Sequence, residues 1–143
     1  MENKTPTPER ILVFAYGTLR PSLYPGRVKG FDLKKVGDAT LYGNFAMLHL
    51  GGFPGLVKTS PKLGERTHPD GGSAIVGEVV ETNTLAHLDR YEGYPSFYGR
   101  EQVEVIMEDG RTEHPWVYIF NGDAGSRTVV TSGNWADAMP KRD

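Results

Sequence analysis

Cysteine is absent from all 143 residues. That one absence excludes disulfides, thiolate nucleophiles and cysteine-ligated zinc, and it fits a reducing compartment. Histidine is scarce as well: the four residues, at positions 49, 68, 87 and 114, never recur at metal-ligand spacing, so no metal site is expected. No stretch comes near the roughly 20 apolar residues of a membrane-spanning helix. The opening "MENKTPTPER" has no apolar segment of the kind that directs secretion. An excess of one charge is missing too, since Lys plus Arg is 16 and Asp plus Glu is 18, for a net charge of −2. Without a Lys/Arg cluster there is no electrostatic footprint of a nucleic-acid binder. Two nucleotide and nucleophile signatures are also lacking. "GTLRPSLYPG" has no Gly-Lys-Ser/Thr ending, and no Gly-x-Ser-x-Gly elbow occurs. The expected class is a globular cytoplasmic protein with neither nucleic acid nor membrane as a partner.

What is abundant is punctuation. Eighteen glycines and ten prolines imply many turns, hence many strands and few helices. The length suits one domain by the prior of roughly 100–200 residues each, and such a chain buries about two-thirds of its extended surface. Residues 1–10 read as a flexible N-terminal tail, 11–135 as a single domain and 136–143 as a C-terminal tail. Residues 11–16, "ILVFAY", form a continuous apolar run, as in a strand covered on both faces. The connector "GTLRPSLYPGRVKG" is polar enough to run over the surface. Short strands are expected over 39–42, 45–50 and 55–58, a loop over 59–73, and a strand over 74–82. "TNTLAHLDRYEGYP" is the clearest helix, over 84–92, with N-cap oxygens at Thr82, Asn83 and Thr84, Gly93 past its last turn and Pro95 as a stop. Residues 97–120 read as two strands joined at Asp109-Gly110, and 128–131 as a last strand. The expected fold class is α+β: a strongly curved or closed, barrel-like mixed β-sheet with few helices.

Two places carry more than architecture. In "ILVFAYGTLRP" a buried strand stops abruptly at Tyr16, Gly17, Thr18 and Leu19, as either an ordinary turn or a cradle of backbone N–H groups for an anion. In the helix, Leu85 and Leu88 mark the buried face, and position i+7 of that face is Glu92. The carboxylate also lies in the last turn, where the helix dipole disfavours an anion. Burial and dipole both raise its pKa, unless the helix rolls and lets Glu92 reach solvent. Trp116, Tyr118 and Phe120 alternate along one strand and follow Tyr94, Phe97 and Tyr98 in the chain, which suits core packing or an aromatic pocket wall.

"VFAYGTL", "GFPGLV", "VGEVVE", "LDRYEGYPSFYGR" and "WVYIF", in that order over most of residues 11–121, resemble the gamma-glutamylcyclotransferase-like superfamily, in particular its small branch that includes gamma-glutamylamine cyclotransferases. The resemblance implies that Tyr16, Gly17, Thr18 and Leu19 bind the glutamyl end of a substrate through backbone groups. It implies that Glu92 is the catalytic acid/base and that Tyr98 and Tyr118 line the pocket. The implied reaction closes a γ-glutamyl amine or peptide to 5-oxoproline with release of the amine, without cofactor or metal. Two departures bear on the pocket mouth: the bulky "PSLYPG" and the long 59–73 connector. The alternatives are a small-molecule-binding protein that keeps the pocket without turnover, or another amide- or ester-cleaving reaction at the same carboxylate.

Overall fold

Strand β1 (Ile11–Ala15) is hydrogen-bonded along both edges, which is why its residues can all be apolar. A computed structural model of the chain describes residues 10–26, 30–59, 73–123 and 127–140. In it β1 pairs antiparallel with β5 (Ser73–Thr82) and parallel with β9 (Trp116–Phe120). Successive side chains leave a strand on opposite faces, so β1 feeds two cores. Phe14 joins Leu41, Ile75, Val79 and Trp135 on one side, while Val13 and Ala15 join Leu48, Val80 and Leu88 on the other.

The sheet continues from β5 to β2 (Lys34–Gly43) and beyond. Its full order is β6 (Tyr98–Gln102), β9, β1, β5, β2, β7 (Val105–Met107) and β8 (Thr112–Glu113). A smaller sheet of three strands, β10 (Thr128–Val129), β3 (Phe45–His49) and β4 (Pro54–Lys58), packs beside it. A helix, α1 (Ala86–Glu92), follows β5. The architecture is α+β, with a strongly curled half-barrel sheet.

The hairpin expected over 97–120 does more than pair with itself. Its turn at Asp109-Gly110 is present, with Gly110 at φ 92° and the Gly110 N–H donating to Met107 O at 2.8 Å. Yet each arm is broken in two: β6 pairs with β9 at one edge of the sheet, and β7 pairs with β2 at the other. Pro115 sits at the break in the returning arm and lacks an N–H, so it cannot extend the ladder. Its carbonyl still accepts from the Val103 N–H at 2.9 Å, and this holds the bend together. One bent hairpin thereby reaches both edges of a single sheet, and this draws the sheet into a curl.

Other expectations need correction. β2 starts at Lys34, well before the apolar pattern at 39, and has a register irregularity between Lys35 and Gly37. The connector after Gly17 does not stay on the surface, because Leu19 and Arg20 are buried. The C-terminal stretch carries a 3-10 helix, Trp135–Asp137, started by Asn134, whose Oδ1 accepts from the Ala136 N–H at 3.1 Å. Trp135 is fully enclosed, its Nε1–H donates to the Tyr24 hydroxyl at 2.9 Å, and Ala138 and Met139 pack against the same core. Packed chain therefore runs past the boundary expected at 135. The expected N-terminal tail, bar Arg10, and most of the 59–73 loop lie outside the described residues.

Trp135→Ala removes the largest fully buried side chain and should destabilise the fold by about 3–5 kcal/mol. Val129→Ala, at a position 44% exposed, should stay within about 0.5 kcal/mol of the parent. Urea denaturation of both variants checks the pair. Equal effects would mean that the C-terminal turn is peripheral.

Candidate active site

Where β1 ends, the chain turns sharply, and the Arg20 N–H closes the turn on Gly17 O at 3.0 Å. Gly17 is required by space: a Cβ there would lie 2.5 Å from Cγ of Pro54, the first residue of β4. Among the described residues, the backbone N–H groups of Gly17, Thr18 and Leu19 have no protein acceptor. Three adjacent unpaired donors at a strand end suit an anion.

Tyr16 takes a different part from its neighbours. Its phenol is buried, donating to Tyr118 O at 2.7 Å and accepting from the Leu56 N–H at 3.1 Å. The side chain therefore ties three strands together. Thr18 reaches the helix instead, its hydroxyl 3.1 Å from that of Tyr91.

Helix α1 supplies the opposing wall. Its N-cap position is Leu85, which makes no side-chain cap, so none of the three expected cap residues caps the helix; Thr84 Oγ1, ahead of it, accepts from the Ala86 N–H at 3.1 Å. The other expected caps do different work: Thr82 bonds Thr84, and Asn83 Oδ1 accepts from Arg10 at 2.7 Å. Gly93 ends the helix at φ 69°, and the Tyr94 N–H folds back to Asp89 O at 2.9 Å. Leu88 is buried beneath the helix.

Asp89, which the sequence reading passed over, docks α1 on the sheet. It accepts from Arg100 Nε and Nη2 at 2.8 and 3.1 Å and from the Tyr118 hydroxyl at 2.7 Å. Arg100 is itself held between the rings of Tyr94 at 4.3 Å and Trp116 at 4.7 Å. The sole hint in the sequence was the spacing of Asp89 and Glu92, two carboxylates three residues apart on a short helix.

Tyr16, Gly17, Thr18, Leu19, Glu92, Tyr98 and Tyr118 all line one cleft of about 440 Å³, joined by Phe53, Tyr91 and Phe97. Two of the cleft's phenols wall it with their protons already committed, Tyr98 to Pro54 O at 2.8 Å and Tyr118 to Asp89. They offer a ligand an aromatic wall and a lone pair. Glu92 differs. It is half-buried and, among the described residues, has neither a hydrogen-bond nor an ion-pair partner. Burial pushes its carboxyl from an ordinary 4.5 up to about 8. Burial also raises the phenols of Tyr16, Tyr98 and Tyr118, and each is raised further by the nearby charge of Glu92. A carboxyl that burial keeps largely protonated at neutral pH, in one cleft with N–H donors unpaired among the described residues, can give up and take back a proton there. Among the described residues no group of three His, Asp or Glu could hold a metal ion. None of their helices is long and apolar enough to cross a membrane.

The family model described as gamma-glutamyl cyclotransferase, AIG2-like, matches residues 13–137. The chain belongs to that family. A relative from Methanocaldococcus jannaschii, named "Putative gamma-glutamylcyclotransferase", is 30% identical over 127 residues, which is 87% of this chain and 95% of the relative. Among solved structures, an AIG2-like protein from Mus musculus matches with a TM-score of 0.68 at 20% identity, over 94% of this chain and 99% of its own. Protein ytfP from Escherichia coli matches with a TM-score of 0.56 at 23% identity, over 91% and 98%. These two likenesses show that the cyclotransferase fold is shared.

The close approach of Gly17 to Pro54 should make this cyclotransferase-family turn intolerant of any side chain. Gly17→Ala forces Pro54 or the loop to move and should cost about 1–3 kcal/mol. Gly52→Ala lies in the same cleft with nothing within 4 Å of the added Cβ and should melt like the parent. Thermal denaturation distinguishes them, and equal melting would remove the steric role given to Gly17.

Proposed function

We propose that the protein cyclises the glutamyl part of a γ-glutamyl amine or peptide to 5-oxoproline, releasing the amine, with Glu92 as general acid/base. The observation that carries this reading is the half-buried Glu92 in one cleft with the N–H groups of Gly17, Thr18 and Leu19, all without a protein partner among the described residues. Family membership supplies the substrate class. The substrate's α-carboxylate lies on the 17–19 loop, which orients the chain for ring closure. Its ammonium, on arriving beside Glu92, favours the carboxylate form, so Glu92 releases its own proton to water and becomes the base that removes one from the ammonium. The freed amine attacks the γ-carbonyl carbon, Glu92 passes the first proton to the leaving nitrogen as its C–N bond breaks, and the ring nitrogen then gives up its second proton through Glu92 to the departing amine, which leaves as its ammonium. The proton balance closes on one carboxyl, so the protein's own groups suffice for the sequence of steps. Tyr98 and Tyr118 wall the substrate, and the reaction is placed in the cytoplasm.

Incubation with a panel of γ-glutamyl amines and peptides, assayed for 5-oxoproline, tests the reaction. Tight binding without product across the panel would favour a binding protein. Glu92→Gln should bind the substrate and turn it over about 100-fold or more slowly. The acid limb of kcat/KM, set in the parent by a carboxyl near about 8, should vanish in the variant.

Stability has a definite sign. A raised folded pKa penalises the charged form, so the penalty starts above the ordinary 4.5, grows with pH and levels off above about 8. Glu92→Gln should therefore melt higher than the parent at pH ~9 and much the same at pH ~4. A variant with full turnover on a proven substrate would dismiss Glu92 as the base.

A further inference from the structure

Glu78 is fully buried and plays no part in the proposed chemistry. Its backbone is paired with Ala15, the last residue of β1, in the antiparallel ladder. Its side chain reaches the far end of the turn. Oε2 accepts from Arg20 Nε at 2.8 Å and from the Ser22 hydroxyl, and Oε1 accepts from the Ser22 N–H at 3.1 Å. Lys35 Nζ lies 3.4 Å from Oε1, and Arg20 Nη1 donates on to Asn134 Oδ1 at 2.9 Å. One residue thus holds both ends of the loop, residue 15 by its backbone and residues 20 and 22 by its carboxylate. Between those anchors lie Gly17, Thr18 and Leu19.

We propose that Glu78, acting through Arg20 and Ser22, is the positioning residue of the 17–19 loop: it fixes the turn in the form that presents its free N–H groups to the substrate's carboxylate. This rests on the cyclotransferase reading of the cleft. A buried ion pair is a weak source of stability, since well-packed apolar residues often do as well in its place. What apolar residues cannot supply is direction. The carboxylate accepts from a backbone N–H, a hydroxyl and a guanidinium at set angles, and so restricts the rotation of the segment that follows the loop. Supporting contacts of this kind decide whether a binding group sits within tenths of an ångström of its working position.

The test compares Glu78→Gln, which removes the charge and keeps the shape, with Ser22→Ala, at an exposed residue whose loss leaves the fold intact. Three readings are taken on each: 5-oxoproline affinity by calorimetry, KM against kcat, and NMR order parameters of the Gly17, Thr18 and Leu19 amides. Positioning predicts lower order parameters in both variants. It predicts weaker 5-oxoproline binding and higher KM, by about tenfold or more for Glu78→Gln and less for Ser22→Ala, with kcat changed much less. A merely structural role would lower the melting temperature and leave affinity, KM and order parameters at parental values, which would overturn the proposal. Should Glu78→Gln fail to fold, unchanged order parameters and affinity in Ser22→Ala would overturn it equally. A parent that neither binds nor forms 5-oxoproline would instead defeat the reading of the cleft, and unchanged amide order in the variants would then still defeat the clamp.

Discussion

The pairing of β1 on both of its edges is the constraint on which the rest depends. A strand with two hydrogen-bonded neighbours and two apolar faces has no freedom to slide, because a one-residue slip would exchange its cores. Phe14 would then face Leu48 and Leu88, and Val13 would face Leu41 and Trp135. With β1 fixed, the turn that follows it inherits a fixed origin. Gly17 then lies against Pro54 because the two sheets pack too closely there for a Cβ. The position of the 17–19 loop is thus inherited from a central strand.

The same strand brings the helix into place from the other side. β9 pairs with β1, and Tyr118 on β9 gives its phenolic proton to Asp89 of α1. Arg100 on β6 closes the contact with a two-pronged ion pair, itself flanked by two aromatic rings. Glu92 is three residues along the helix from Asp89, so its position relative to the 17–19 loop is set through one chain of contacts: loop, β1, β9, Asp89, helix. Every link is either a backbone ladder or a charge-assisted hydrogen bond, and neither stretches far at low cost.

How much of this could be read from the sequence depended on whether the signal was apolar or polar. β1, β5 and Leu88 carry strong hydrophobic patterns, and their burial was legible. Glu92 was legible for the converse reason, as a carboxylate where the pattern asked for an apolar residue. Gly93 and Asp109-Gly110 were legible because few other residues suit those backbone angles. Arg20, Glu78, Asp89 and Arg100 were not, since a charged residue in a sequence reads as exposed until its partner is known. Glu78 and Arg20 lie 58 residues apart, and nothing local joins them. The start of β2 was hidden by its lysines, which emerge to solvent at its exposed end. Trp135 was hidden by its setting, a lone apolar anchor in a polar, glycine-containing stretch with no periodicity to announce it.

Two glutamates in opposite surroundings show how partners set the charge of a carboxyl. Glu78 is the more deeply buried, and burial alone would raise its pKa. The donors from Ser22 and Arg20 outweigh burial and hold it below the ordinary carboxylate range. It stays charged, fully paired and chemically quiet across the neutral range. Glu92 is less enclosed but has no donor among the described residues, so burial acts unopposed and carries it up to about 8. Burial raises both carboxyls, and the donors from Ser22 and Arg20 reverse its effect at Glu78 alone. A partner for Glu92 as good as Arg20 would lower its pKa and fix it as an anion, leaving no proton to return to a leaving group. On the proposed reading a substrate's ammonium supplies the partner that Glu92 lacks among the described residues, and its arrival is what turns a neutral acid into a base.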